Sequence, residues 1–284
     1  MSSVEFAGAN AKVGPNGAKP ASASAKADVV LRRDEGAICW LTINRPQRGN
    51  SICKATHQAL MAHLEALRDN RKISVIVLSG GGERFFCTGH DLADVFEGLE
   101  PAAAAAELME GAELMRAFRA QPQIIIARVE GIAAGAGLQL VAGADLAVAA
   151  RTARFTTPGV NIGLWCYGPM VDLSRNVAPK HAMQMLATGA LVDAEFACQI
   201  GLVNQVVESA DLDSAVRELA QQIASKSSKT FEMGKPAFYA QLALPVDEAY
   251  KHAAQVKAEH VSHVDAREGV QSFLEKRSPN WKGR

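Results

Sequence analysis

Hydrophobic positions along this chain follow two rhythms that alternate. Residues 36–43 (GAICWLTI), 73–80 (ISVIVLSG) and 124–131 (IIIARVEG) are short, nearly unbroken apolar runs, the signature of strands buried on both faces. Between the first two, residues 54–70 place Leu60, Met61, Leu64 and Leu67 at helical spacing. A second helix is predicted over 102–118, entered through Pro101, whose fixed φ and missing N–H suit a first turn. Residues 145–150 (DLAVAA) read as a further apolar strand, and 153–158 (ARFTTP) as a short one ended by proline. Apolar strands joined by crossover helices predict an α/β fold with parallel-type pairing.

From Pro169 onward the rhythm is mostly helical. Residues 179–189 (PKHAMQMLATG) have a proline start and a glycine stop, and Asp193 stands where it can cap a short helix in AEFACQIG. One strand interlude, LVNQVV at 202–207, precedes predicted helices over 211–226, 231–242 and 247–276. The last is read as one long helix with an apolar series at Ala249, Ala253 and Val256. Three parts are therefore expected: a disordered lead-in over 1–28, an α/β core over 29–210, and a helical region over 211–284.

Charge and composition narrow the function classes. Thirty Lys and Arg balance thirty Asp and Glu, so no global field favours nucleic acid, and any anion must be held locally. The five cysteines form no CxxC pair, and their odd number argues for free thiols in a reducing compartment. No apolar run is long enough to span a bilayer; the nearest, 138–150, is broken by Gly143 and Asp145. The Ala-, Gly-, Ser- and Pro-rich first 28 residues carry no arginine and no apolar stretch typical of a secretory signal. A soluble cytoplasmic protein is expected, with the mitochondrial matrix as the alternative for a eukaryotic chain.

Two glycine-rich turns offer local anion sites, because backbone N–H groups at a helix start have no intrahelical partner. One lies in GGGERFFCTGHDL, where Thr88 to Asp91 are read as leading into a helix; the other is GIAAGAG at 131–137. Neither is a phosphate-binding GxxxxGK[ST] loop or a GxGxxG dinucleotide fingerprint. The chain also lacks a GxSxG nucleophile elbow. Cys87 and Cys166 are read as small buried fillers, Asp91 as a helix cap, and Asp145 as a structural acid.

Five stretches occur in an order that resembles the crotonase, or enoyl-CoA hydratase/isomerase, superfamily. They are LTINRPQRGNSI, FFCTGHDLADV, VEGIAAGAGLQLVAGADLAVAARTARFTTPGVNIGL, APKHAMQMLATGALVDAEFACQIGLVNQVV and FLEKRSPNWKG, together spanning about Val29 to the C-terminus. The resemblance implies a crotonase (ClpP-like) spiral of β-β-α units with a helical C-terminal region, assembled as a homotrimer or a dimer of trimers. It implies an acyl-CoA thioester as substrate, coenzyme A entering as part of that substrate rather than as a bound cofactor, and neither a metal nor a nucleic-acid partner.

By the same resemblance, the thioester oxygen is held by the backbone N–H groups of His90 and Ala136, with Gly135 and Gly137 small so that the thioester can approach. Losing one such donor typically costs about 3 kcal/mol of transition-state stabilisation. The two glutamates that hydratases of this family use for water and proton fall on Gln139 and Gly159, and the aspartate of other branches falls on Tyr167. Glutamine cannot act as a general base and glycine offers no side chain. Classical hydration is therefore disfavoured, and restoring glutamate at both positions is expected to raise it. His90 and Tyr167 remain as side chains able to move a proton, and Gln139 as one able to orient water or a polar acyl group. Arg45, Arg48, Phe273 and Lys276 are the implied contacts to the nucleotide part of coenzyme A. Three functions stay open: an enoyl-CoA hydratase/isomerase-like enzyme with an altered reaction, an acyl-CoA decarboxylase or hydrolase, and a non-catalytic acyl-CoA-binding or assembly protein.

Overall fold

The computed structural model describes residues 28–91 and 100–283. The expected lead-in, apart from Asp28, and the helix expected beyond Asp91 lie outside the described residues. Among the described residues, ten strands form two sheets. The larger sheet contains β1 (Val30–Glu35), β2 (Ile38–Ile43), β3 (Val75–Gly80), β5 (Ile124–Val129), β7 (Leu146–Ala150) and β10 (Gln205–Val207), in the order β1-β2-β3-β5-β7-β10. The smaller contains β4 (Phe85–Cys87), β6 (Ile132–Ala134), β8 (Arg154–Thr156) and β9 (Val192–Asp193). From β2 to β10 the large sheet is parallel, with Ile38 opposite Val75, Val75 opposite Ile124, and Ile126 opposite Leu146.

Helix α1 (Lys54–Arg68) connects β2 to β3, and α2 (Pro101–Ala120) follows β4. After β6 comes α3 (Ala136–Gly143), and after β8 a short 3-10 turn (Pro158–Ile162) leads to α4 (Tyr167–Asn176). Each strand of the large sheet from β3 to β7 thus hands the chain to a strand of the small sheet and then to a helix. Three successive turns, β3-β4-α2, β5-β6-α3 and β7-β8-α4, make the expected β-β-α spiral. The remaining helices are α5 (Pro179–Thr188), α6 (Ala194–Gln199), α7 (Leu212–Ala224), α8 (Ser228–Gln241), α9 (Val246–His260) and α10 (Val264–Leu274).

Strand alternation divides the core in two. Cys39, Leu41, Ile43, Ile76 and Leu78 face the main core with α1 to α5, whereas Ile38, Trp40, Val75 and Val77 face Leu212, Val216 and Ala220 of α7. Both faces of the sheet are covered, which is why its central strands carry nearly unbroken apolar runs. Strand β1 escaped the sequence reading for the opposite reason. It is the antiparallel edge strand, and VLRRDE carries charges that an edge tolerates and a central strand does not.

One expected helix is corrected. Residues 247–276 do not form a single rod; the chain breaks after His260 and restarts at Val264. His263 caps the second piece, its ring Nδ1 accepting from the Asp265 N–H at 3.3 Å. Within one chain α9 buries no residue, so Ala253 is exposed and Ala249 and Val256 are only half-buried. No helix among the described residues is long and apolar enough to cross a membrane.

Candidate active site

The loop after β4 and the start of α3 meet at the mouth of a cleft. Ile52 pairs with this loop as a short parallel bridge: its N–H donates to the Gly89 carbonyl at 2.7 Å, and its carbonyl accepts from the Asp91 N–H at 3.0 Å. Because extended residues alternate in direction, that pairing turns the intervening His90 N–H to the other side, and no acceptor among the described residues takes it. Ala136 is the first residue of α3, so its N–H has no intrahelical partner either.

The close fit of the two segments explains the glycines. Gly89 has φ +97, and a Cβ there would stand 3.0 Å from the Ala134 carbonyl oxygen and 3.2 Å from the Ala136 nitrogen. Only glycine allows both the backbone angle and the approach that brings the His90 and Ala136 segments together. A Cβ on Gly137 would lie 2.0 Å from the Cys87 carbonyl oxygen. Gly137 is therefore small so that α3 can seat on β4, a reason different from the substrate clearance that the family resemblance implies.

A carboxylate anchors this loop from behind. Asp91 accepts from Arg45 at 3.1 Å, from Arg48 at 3.3 Å and from the Ser51 hydroxyl at 3.3 Å, while Arg45 also donates to the Ser51 carbonyl at 2.8 Å. Arg45 is thereby committed to internal bonds, whereas Arg48 keeps a largely exposed side chain. Asp91 is a structural acid, but it acts as the hub of this cluster.

The cleft has a volume of about 380 Å³ and is lined by His90, Ala136 and Gln139 together with residues of α1 and α2. Cys53, Lys54 and His57 come from the start of the α1 wall, and Glu107, Glu110 and Met115 from α2. Three of the five expected catalytic positions therefore come together. Gly159, on the 3-10 turn before α4, and Tyr167, 59% exposed at the start of α4, do not line the cleft. Phe273 is 82% exposed on α10 and Lys276 follows it in an exposed turn with φ 54; neither lines the cleft of its own chain. Cys87 is fully buried and burial pushes its thiol up to about 12; burial also raises Cys166. Both are held as thiols rather than nucleophilic thiolates.

Sequence reading missed two carboxylates. Glu107 on α2 accepts from His90 Nδ1 at 2.6 Å, and that hydrogen bond holds its carboxyl below the ordinary range. Asp172 on α4 is buried and accepts from Gln139 Nε2 at 2.9 Å and from Arg119 at 2.8 Å. Burial holds the Asp172 carboxyl above its ordinary range, outweighing the bonds from Gln139 and Arg119 that favour the charged form. Beyond it a polar chain continues: the Arg119 guanidinium lies over Tyr239, whose hydroxyl donates to Asp145 at 2.8 Å, and Asp145 pairs with buried Lys235 at 2.6 Å. Asp145 also accepts the Ile125 N–H at 2.7 Å, which fixes it as a structural acid.

These contacts decide what position 139 can hold. A carboxylate partner fixes the Gln139 amide with its Nε2 toward Asp172, leaving the carbonyl oxygen as its remaining acceptor. A glutamate there would set two carboxylates against each other. At Gly159 a Cβ would stand 2.8 Å from the Leu164 carbonyl oxygen and 3.0 Å from Cys166 Sγ. Neither position is a vacancy waiting for an acid: glutamates at both would have to displace these neighbours before they could serve hydration.

A β-β-α spiral with a helical C-terminal region, and a cleft where a loop and a helix start each present an unpaired N–H, define a class of fold and site. The family model for enoyl-CoA hydratase/isomerase matches residues 33–284, and the chain belongs to that family. It is similar to the mitochondrial enoyl-CoA hydratase domain-containing protein 3 of Rattus norvegicus, 34% identical over 268 residues, 94% of this chain and 89% of that one. It is also similar to a carnitinyl-CoA dehydratase of Salmonella typhi, 34% identical over 88% of this chain and 96% of that one. Among solved structures, an enoyl-CoA hydratase of Mycobacterium smegmatis superposes with a TM-score of 0.86 at 40% identity, covering 89% of this chain and 98% of that one.

Proposed function

We propose that this protein binds acyl-CoA thioesters in the cleft and acts on them through an oxyanion site made by the His90 and Ala136 N–H groups. The observation that carries the reading is the pair of unpartnered amides brought side by side by Gly89. Charge that develops on a thioester oxygen there meets two fixed donors in a shielded site, where they act more strongly than in water. The reaction is not the paired-glutamate hydration of a 2-enoyl-CoA, because Gln139 and Gly159 supply no carboxylate. Reactions that depend mainly on the oxyanion site, such as decarboxylation or hydrolysis of a particular acyl-CoA, tolerate this loss best.

Coenzyme A enters as part of the substrate. Of the four expected nucleotide contacts, Arg48 is the one with a largely exposed guanidinium beside the oxyanion loop, and Lys54 in the cleft wall is a further cation for a phosphate. Phe273 and Lys276 can serve only across a subunit boundary, in the trimer or pair of trimers proposed for the assembled protein.

An acyl-CoA panel with product identification by mass spectrometry tests the reading. Conversion of at least one thioester above its uncatalysed rate is expected. Binding of thioesters without any turnover would point instead to an acyl-CoA-binding or assembly protein, and failure to bind any would overturn both.

A further inference from the structure

Resting on the acyl-CoA reading, we infer that His90 and Glu107 form the acid-base pair of this site, with the imidazole Nε2 as acceptor of a proton from the thioester α-carbon. The substrate class is thereby narrowed to acyl-CoA thioesters that carry at least one α-hydrogen.

Geometry carries this assignment. Glu107 accepts from His90 Nδ1 at 2.6 Å, and both residues line the cleft. A carboxylate on Nδ1 makes that nitrogen the N–H of the neutral ring, so the lone pair resides on Nε2. Nε2 has no partner among the described residues. The same residue's backbone N–H is one of the two oxyanion donors, so the base and the carbonyl grip are built on one loop position, with Gly89 behind it.

The other groups in the cleft are less suited. Gln139 has no proton to exchange and is tied to Asp172. His57 is paired through Nε2 with the Glu110 carbonyl at 3.0 Å. Glu107 itself is a poor base, since the His90 hydrogen bond holds its carboxyl below the ordinary range. Lys54, Glu110 and Cys53 also line the cleft, but no partner fixes any of them toward the oxyanion amides.

The step balances without a further reactant. The α-C–H bond breaks, its proton passes to Nε2, and its electron pair moves into the thioester to give an enolate whose oxygen is held by the His90 and Ala136 amides. Reprotonation of the same carbon from the imidazolium regenerates the thioester; in heavy water the partly exposed imidazolium first exchanges its Nε2 proton with solvent and then returns a deuteron. Glu107 acts as a positioning residue that fixes the tautomer and balances the imidazolium.

Proton NMR of butyryl-CoA in heavy water, with binding measured in parallel by calorimetry, tests the pair on the full-length chain. The wild-type protein is expected to wash out the α-protons, with His90→Ala losing about 10²-fold or more of the saturated exchange rate while still binding. Added imidazole should restore part of the His90→Ala rate, a response that a merely structural histidine would not give. Glu107→Gln should lower the saturated rate on the order of tenfold to a hundredfold at little change in the dissociation constant, with Glu107→Asp recovering part of it. Binding without exchange in the wild type, or exchange unaltered in His90→Ala, would overturn the assignment and leave the acyl-CoA reading standing. Absence of binding would overturn the acyl-CoA reading itself, and this assignment with it.

Discussion

Gln139 stands where the family resemblance implies an acid, and its surroundings account for the amide. Its Nε2 hydrogen bond to Asp172 is one of the two that hold a buried carboxylate. Gln139→Glu should therefore destabilise the fold by about 2 kcal/mol or more at neutral pH, the usual order of cost when a buried polar group loses its partner. The penalty has a pH signature. Two facing carboxylates raise each other's proton affinity, so the folded form holds protons more tightly than the unfolded chain. Stability of the variant should then fall as pH rises through the raised values and recover at low pH, and adding Asp172→Asn should relieve it. Urea titrations of the two variants across pH read both effects. Gly137→Ala is expected to cost about 3 kcal/mol or more, because its Cβ would meet the Cys87 carbonyl carbon and oxygen, which are backbone and cannot move aside. At this scale the family resemblance pointed to His90 and Ala136, and the structure brings both to the cleft; the close approach that needs Gly89 was not read from the sequence. It was silent on Glu107 and Asp172. Glu107 sits in an alanine-rich helix and Asp172 at an ordinary helical position, and each gains its meaning only from a partner far away in sequence.

Among the elements, the parallel strands of the large sheet were legible because burial on both faces leaves them mostly apolar, whereas β4 and β6 of the small sheet lay hidden in segments read as glycine-rich turns. Strand β1 was hidden by its edge charges, and the break between α9 and α10 by an apolar series that runs up to it. That break positions the C-terminal segment. Asp265 of α10 accepts the Ser227 hydroxyl at 2.6 Å and the Lys282 and Gly283 N–H groups at 2.8 and 3.0 Å. Glu268 takes Arg277 and the Asn280 N–H, and Trp281 donates to the Ser225 carbonyl at 2.9 Å. The Arg277 and Asn280 bonds depress the Glu268 carboxyl from its ordinary 4.5 to about 2. Since the folded value lies below the unfolded one, this latch contributes fully above the ordinary value and is lost as pH falls from about 4.5 through about 2. Trp281 emission, isolated by subtracting the Trp281→Phe variant, should shift over that window, and Glu268→Gln should show the acid-like emission already at neutral pH.

For the molecule as a whole, the described residues leave an exposed apolar surface on the helical end. Phe238, Leu242, Val246, Tyr250, Val270 and Phe273 of the α8–α10 region are all more than half exposed. Burying them between subunits would account for a helix, α9, that buries nothing within its own chain. Light scattering should give a mass at least three times the 30.2 kDa of one chain, and a monomer at micromolar concentration would contradict the trimer. The central claim is more local: two amides grip a thioester oxygen. Ala136→Pro addresses it directly, because proline suits the first position of a helix while deleting the N–H. The isotope-edited infrared spectrum of butyryl-CoA labelled with carbon-13 at the thioester carbonyl reports the grip as a lowered carbonyl stretch on binding. The account predicts a clear downshift in the wild-type complex that is largely lost with Ala136→Pro, in a protein whose circular dichroism is unchanged. A bound carbonyl that vibrates at its solution frequency, or one equally shifted in both proteins, would contradict it.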